Sequence, residues 1–219
     1  MRAVYFLSIL SVLMLAACGQ PPPPAPGESG GAASDAAPIP VGQLGAAVRP
    51  VHYRLDLTIL PARADFSGIA EIDIEVAAQT DKIYLHGNGL VVSAASLRTS
   101  SGDTHAGVYE QVDDTGVARV AFPAPVPAGA ATLRFEYTAP FRTRAEGLYH
   151  TTVDGEAYAF TQFQPIDARR VFPGFDEPAF KTPFDIAVTA RDGDVVIGNT
   201  EITQEKSADG GLRRVTLAT

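Results

Sequence analysis

Residues 161–185 concentrate side chains that a simple strand or helix would not need, in the stretch TQFQPIDARRVFPGFDEPAFKTPFD. The candidates there for binding a ligand or holding a loop are Gln162, Gln164, Asp167, Arg169, Arg170, Asp176 and Glu177. Asp176 and Glu177 are adjacent, so in a strand they would point to opposite faces and could not act together as an acid–base pair. Because Pro178 follows them, we expect a turn that opens a short helix.

The two arginines of this stretch suit a scaffold. A guanidinium group can bridge a carboxylate and backbone carbonyls with its planar fork, which pins a segment that lacks a regular ladder of hydrogen bonds. We therefore assign structural roles to the charged residues of the stretch: Asp167, Arg169, Arg170, Asp176 and Glu177.

No arrangement of residues in the sequence predicts catalysis. The four histidines stand far apart, at His52, His86, His105 and His150. No two of them have the i, i+4 spacing with which an HExxH helix binds zinc, so structural roles are favoured. The one serine with G-x-S-x-G spacing, Ser29, lies in the stretch rich in proline, glycine and alanine and not in an elbow between a strand and a helix, and no G-x-x-x-x-G-K-[ST] loop is present. We expect neither a catalytic residue nor a metal site in this chain.

The composition describes one acidic domain with appendages. A chain of 219 residues with 46% hydrophobic content is long enough for one sizeable core. Its formal net charge of −8 argues against a surface that neutralises phosphates. Nucleic acid is therefore excluded as an expected partner.

The N-terminus reads as an export signal followed by a tether. Arg2 precedes an apolar run that ends in Leu-Ala-Ala-Cys18, which resembles the lipobox of bacterial lipoproteins. The resemblance implies cleavage before a diacylated Cys18 and an exported protein anchored to a bacterial membrane, with Gly19 favouring the outer membrane. An ordinary cleaved signal with a chance cysteine is the alternative. Residues 19–50 are rich in proline, glycine and alanine, which predicts a disordered linker.

Residues 51–219 carry the alternation of a β domain. Apolar residues recur with period two in HYRLDLTI, AEIDIEVA and TLRFEYT, and shorter strands are predicted at KIYLHG, GVARVAF, AYAFTQF, FDIAVTA, VVIGN and LRRVTLA. Turn residues separate these runs, among them Asp154-Gly155 and Asp209-Gly210-Gly211. The expected fold is mainly β, an antiparallel sandwich or saddle of two sheets.

The stretch that ends in FDEPAFKTPFDIAV resembles the last part of the N-terminal domain of M1 zinc aminopeptidases, the aminopeptidase N group. Upstream, HYRLDLTI, FSGIAEIDIEV, KIYLHGNGLVV, LRFEYTA and EGLYH follow the order of strand motifs in that domain. The resemblance covers nearly all of residues 51–219.

This resemblance implies a role for two glutamines. The positions matched by Gln162 and Gln164 help to hold the free α-amino group of a peptide substrate, and many members carry glutamate at the second position. Gln164 can accept a hydrogen bond from an ammonium group but supplies no charge. The resemblance also implies a cis peptide bond between Gln164 and Pro165. A second reading, in which the glutamines satisfy backbone groups at a strand end, remains open.

The family's zinc motif lies beyond this domain, in a catalytic domain that is expected downstream in a longer parent chain. The parent would remove N-terminal amino acids from peptides with zinc-activated water, although this chain itself would hold no cofactor. The final residues, LRRVTLAT, still alternate like a strand, so we expect a domain that is cut short and an unpaired edge there. The competing hypothesis is a non-catalytic lipoprotein whose β domain serves as a binding or structural module.

Overall fold

The computed structural model describes residues 38–219. The predicted signal, with Cys18, and the first part of the predicted linker lie outside the described residues. Twelve strands fill most of the described chain: β1 (Val48–Thr58), β2 (Asp65–Val76), β3 (Thr80–His86), β4 (Val91–Thr99), β5 (Thr104–Gln111), β6 (Val117–Val126), β7 (Gly129–Pro140), β8 (Gly147–Val153), β9 (Glu156–Gln162), β10 (Phe184–Arg191), β11 (Ile202–Ala208) and β12 (Leu212–Leu217). A 3-10 helix covers Ala168–Arg170, and no helix of the described residues is long and apolar enough to cross a bilayer.

Ten strands form one mixed sheet in the order β11-β12-β10-β1-β2-β7-β4-β5-β6-β3, while β8 and β9 form a separate hairpin. The prediction of a mainly β fold is confirmed. One pair departs from the antiparallel expectation, because β10 runs parallel to β1 from the Tyr53–Phe184 pair to the Thr58–Thr189 pair. The connection between these two strands comprises residues 59–183, which include β2 to β9, and it is far longer than the crossover that a parallel pair requires.

The core explains how this sheet becomes a sandwich. Buried residues of β2 and β7, such as Ile72 and Phe135, belong to the same cluster as Ile83 of β3 and Val120 of β6. These two pairs of strands are not neighbours in the sheet order, so the sheet folds back and its parts face each other across a shared core. Each such side chain contributes roughly 1.5–3 kcal/mol by leaving water.

Both ends of the domain differ from the sequence prediction. β1 begins at Val48, and the backbone before it contacts the domain at Gly42 and Leu44, so the predicted boundary at residue 51 is wrong. At the other end, β12 pairs with β10 on one side and β11 on the other. The expected unpaired edge at the last strand is therefore wrong, since β11 lies outside it.

Several predictions of individual strands and helices differ from the structure. The apolar run VVIGN is not a strand, and its Val195 and Ile197 are 81% and 87% exposed. The turn expected at Pro178 is present, with the Phe180 N–H donating to the Glu177 carbonyl at 3.1 Å, but no helix follows it, and the Asp176 carboxylate binds Arg169 instead of capping a first turn. Four strands were not predicted from alternation, namely β4, β5, β8 and β11, although the motif EGLYH from the family resemblance covers the start of β8. Of these four, β11 is exposed along its whole length and so lacks an apolar alternation.

Candidate functional site

The β8–β9 hairpin presents Gln162 at its end. Its strands pair from Gly147–Gln162 to Val153–Glu156. Asp154 and Gly155 both have positive φ, 52° and 85°, which suits the tight two-residue turn that the sequence predicts. Alternation places Gln162 on the same side of β9 as Tyr158 and Phe160, and all three side chains are exposed.

Gln164 lies just beyond the hairpin, and the Gln164–Pro165 peptide bond is cis, as predicted. Gln162 and Gln164 are both exposed. Within residues 38–219 neither glutamine side chain takes part in a hydrogen bond. The reading in which they satisfy backbone groups at a strand end has no contact to support it among these residues. Both amides are free to meet a ligand.

Among residues 161–185, Arg169 has the side chain with the most hydrogen bonds. It is 5% exposed, and its Nε donates to the Asp176 carboxylate at 2.9 Å. Its Nη1 donates to the Thr115 carbonyl at 2.8 Å, and its Nη2 donates to the Asp176 carbonyl at 3.1 Å. Its own carbonyl accepts the Asn88 N–H at 2.8 Å. One arginine thus joins the turn before β6, the turn after β3 and the chain near Asp176.

A second ion pair lies beside the first. Arg170 Nε donates to the Asp167 carboxylate at 2.9 Å across the 3-10 helix. The Asp167 N–H in turn donates to the Phe163 carbonyl at 2.8 Å, which closes the turn that contains Gln164. The turn is therefore fixed at its far end by an internally bonded pair.

His86 and Tyr53 hold the remainder of residues 167–177, called here the pinned segment. His86 exchanges backbone hydrogen bonds with Gly174, at 2.6 and 2.9 Å. The His86 Nδ1 accepts the Asp176 N–H at 3.1 Å, and the Tyr53 hydroxyl accepts the Phe175 N–H at 2.8 Å. Burial lowers the pKa of His86 and raises that of Tyr53, so both side chains are neutral near neutral pH.

Residues 39–47, called here the strap, fasten to the same place. The Leu44 N–H donates to the Glu177 carboxylate at 2.6 Å, and the Leu44 side chain packs against the core. His86 Nε2 donates to the Gly42 carbonyl at 2.9 Å. Glu177, assigned to the scaffold from sequence, thus binds a part of the chain that the sequence predicts to be linker.

Two contributors to the site were missed by sequence reasoning. His86 and Tyr53 read only as members of alternating strands. A buried tyrosine hydroxyl or imidazole nitrogen needs a hydrogen-bond partner, which is a signal that they bond something, but that rule does not identify the partner.

No group of three or more His, Cys, Asp or Glu side chains in residues 38–219 is arranged to hold a metal ion. Both glutamines are neutral, and the nearby acidic side chains Asp167, Asp176 and Glu177 already accept hydrogen bonds. The described residues therefore do not fit a zinc ion, and we derive no chemistry through one here. What the site offers a ligand is a pair of neutral amides.

Comparison with known proteins places this domain in a family. Residues 49–219 match the peptidase M1 N-terminal domain, and the chain belongs to that family. It is 34% identical over 183 residues to an aminopeptidase N of Acetobacter pasteurianus, covering 81% of this chain and 50% of the relative. It is 28% identical over 212 residues to a puromycin-sensitive aminopeptidase of Caenorhabditis elegans, covering 94% of this chain and 21% of the relative.

A human relative also matches over most of this chain. The chain is 31% identical over 191 residues to endoplasmic reticulum aminopeptidase 1, covering 82% of this chain and 20% of the relative. The chain therefore spans between about a fifth and half of the length of these relatives, and it corresponds to their N-terminal domain.

Proposed function

We propose that this domain recognises the free amino group of peptide substrates within an M1 metallo-aminopeptidase. The observation that carries the proposal is the pair of exposed, unbonded amides at Gln162 and Gln164, at the open end of a hairpin in a domain of this family. An amide oxygen accepts a hydrogen bond from an ammonium donor, and an ammonium group has three protons, so it can donate to both amides. The catalytic domain and its zinc belong to the longer parent protein.

The pinned segment fixes the backbone next to Gln164. Side chains that bind a ligand act best when their own positions are fixed by surrounding contacts. The turn that carries Gln164 ends at Asp167, which is bonded to Arg170, and Arg169 ties the next residues to Asp176 and Thr115. The backbone that carries Gln164 is then held in place, while its amide stays unbonded and available to the ammonium group.

The experiment uses the parent aminopeptidase, with hydrolysis of aminoacyl-anilides as the assay. Replacing Gln164 with alanine removes a hydrogen bond to a charged donor, worth about 1.5–3 kcal/mol, so kcat/KM should fall by roughly tenfold to a hundredfold. Gln164→Glu supplies a negative charge and should tighten binding of inhibitors that carry a free amine. Gln162→Ala should act in the same direction as Gln164→Ala.

Matched inhibitors with and without the amino group provide the control. Alanine at Gln164 should weaken only the inhibitor that has the amine, because the other never contacted the amide oxygen. Equal weakening of both would assign Gln164 a structural role. A product of this gene that has no catalytic domain and no peptidase activity would sink the enzyme proposal and leave the binding or structural module.

We also propose that the parent is exported and held to a bacterial membrane, with the outer membrane favoured, through lipid on Cys18. The support is the signal-like N-terminus that ends in Leu-Ala-Ala-Cys18. Replacing Cys18 with serine should abolish labelling by a radioactive fatty acid and release the protein from membranes. Membrane retention that does not change in this variant would count against the anchor.

A further inference from the structure

His86 occupies a junction between two parts of the chain that are far apart in sequence. Its side chain is fully buried at the end of β3. Nε2 donates to the Gly42 carbonyl of the strap, while Nδ1 accepts the Asp176 N–H of the pinned segment. These two partners fix the neutral tautomer that carries its proton on Nε2. A second contact, from the Leu44 N–H to the Glu177 carboxylate, joins the same two parts.

We propose that His86 makes a pH-dependent contact: its neutral imidazole holds the strap against the pinned segment, and protonation of the imidazole releases the strap. A proton on Nδ1 would face the Asp176 N–H, a donor that is 3.1 Å away and has no lone pair to offer. The imidazolium would also be buried, which is costly without a paired anion. The junction must open to relieve both costs.

The charges around His86 do not cancel this effect. The Arg169 guanidinium opposes protonation, while the Asp176 and Glu177 carboxylates favour it. Asp176 is already paired with Arg169, and the strap carries no titratable side chain in residues 39–47. Burial is the largest cause and lowers the pKa of His86 below its ordinary value. The closed junction is therefore fully stable above about pH 6.5 and loses stability as the pH falls below that value.

When the strap is released, a longer stretch of residues before β1 has no contact with the rest of the domain. With the junction closed, the first described residue that bonds the rest of the domain is Gly42, and with it open this residue is Ala47, whose carbonyl accepts the Ala77 N–H at 2.9 Å. The freed residues would add about 17 Å of extended chain. This inference does not depend on the role proposed for the two glutamines, because it concerns only contacts within residues 38–219.

Amide hydrogen exchange on the full chain, resolved by NMR, tests the proposal. The amides of Leu44 and Asp176 are followed between about pH 7.5 and about pH 5, with rates corrected for intrinsic exchange. One proton is taken up on opening, so protection of both amides should fall by up to about tenfold for each pH unit below about 6.5. Amides of β2 and β7 should keep their protection. Unchanged protection at Leu44 and Asp176, or a parallel loss in β2 and β7, would overturn the proposal.

Two variants separate the two bonds of the ring. His86→Asn keeps an oxygen near the place of Nδ1, so the Asp176 amide should stay protected at every pH while Leu44 loses protection throughout. His86→Gln keeps a donor near the place of Nε2 and should show the reverse pattern. Identical behaviour of wild type and both variants would contradict the proposal.

The wild-type protein alone also decides the matter if neither variant folds. The ring protons of His86 and the amide shifts of Leu44 and Asp176 should then titrate with one shared midpoint below pH 6.5. Different midpoints, or a midpoint above pH 6.5, would overturn the proposal. His105→Gln, at a partly exposed histidine of β5, is the matched control and should leave the titration as it is.

Discussion

Gln162 ends the β8–β9 hairpin, and Gln164 lies in the chain between the hairpin and the pinned segment, yet these two regions are held in different ways. The hairpin has an unbroken ladder between its strands, but Tyr158 and Phe160 on its outer side are 46% and 48% exposed. The pinned segment contains only a short 3-10 helix, but Val171 and Phe172 within it are 0% and 7% exposed. The hairpin is thus regular but exposed on its outer side, whereas the pinned segment is irregular but contains buried residues.

The difference lies in what satisfies the backbone. In the hairpin, N–H and C=O groups bond across the ladder, so side chains can change without leaving a backbone group unpaired. In the pinned segment, the N–H groups of Phe175 and Asp176 depend on the side chains of Tyr53 and His86. Buried backbone groups need partners, so single side chains in and around the pinned segment should matter more than any on the outer side of the hairpin.

The largest expected effect comes from Arg169→Met. The substitution leaves the Asp176 carboxylate without its partner and frees the Thr115 carbonyl, and breaking a buried pair on one side costs about 3–5 kcal/mol. Urea unfolding followed by circular dichroism measures the loss of stability. The unfolding midpoint should move while the slope stays constant.

The matched control is Arg142→Met at the base of the hairpin. Arg142 pairs with Glu146, and their side chains are 38% and 28% exposed. Water and salt screen an exposed pair, so the urea midpoint of this variant should be close to that of wild type. Equal losses for the two variants would show that the pinned segment does not depend on its buried pair, and the comparison between the two regions would fail.

A smaller effect is expected from one chemical change made in both regions. Val171→Ala removes two buried methyl groups and leaves a cavity, which costs about 2–3 kcal/mol. Val153→Ala removes the same atoms from a side chain that is 52% exposed, and should cost at most about 0.5 kcal/mol. Thermal and urea unfolding of the two variants side by side measure the difference. A Val153→Ala loss that matches the Val171→Ala loss would mean that the hairpin packs as a core element.

Sequence patterns predicted the parts of the molecule that depend on neighbours in the chain. Period-two alternation identified most strands of the sheet, and Asp154-Gly155 identified the hairpin turn, because both signals lie within a few residues. The cis bond at Pro165 came from the family resemblance and not from local pattern, since trans is the default for X-Pro bonds.

The contacts that hold the site could not be predicted in this way. The bonds from Asp176 to His86, Phe175 to Tyr53 and Leu44 to Glu177 join residues 90, 122 and 133 positions apart. Alternation tells which side of a strand is buried but not what it meets there. The strap escaped for the same reason, because its proline and glycine content resembles linker while its order comes from distant partners.

The smallest expected effect comes from deleting one oxygen, with Tyr53→Phe. The ring of Tyr53 stacks on Phe184 at 4.4 Å between centroids, and phenylalanine keeps that contact. The lost hydroxyl leaves the buried Phe175 N–H without its acceptor, which costs about 1–2 kcal/mol. Tyr158→Phe makes the same change on the exposed side of the hairpin and should alter stability by less than about 0.5 kcal/mol. Tyr109→Phe is a second control, because its buried hydroxyl has no partner among residues 38–219 and its removal should be neutral or stabilising. The urea midpoints of the three variants therefore distinguish three hydroxyl groups: one that bonds the pinned segment, one that lies in water and one that is buried without a partner. A Tyr53→Phe protein as stable as wild type would show that this hydroxyl does not help to hold the pinned segment.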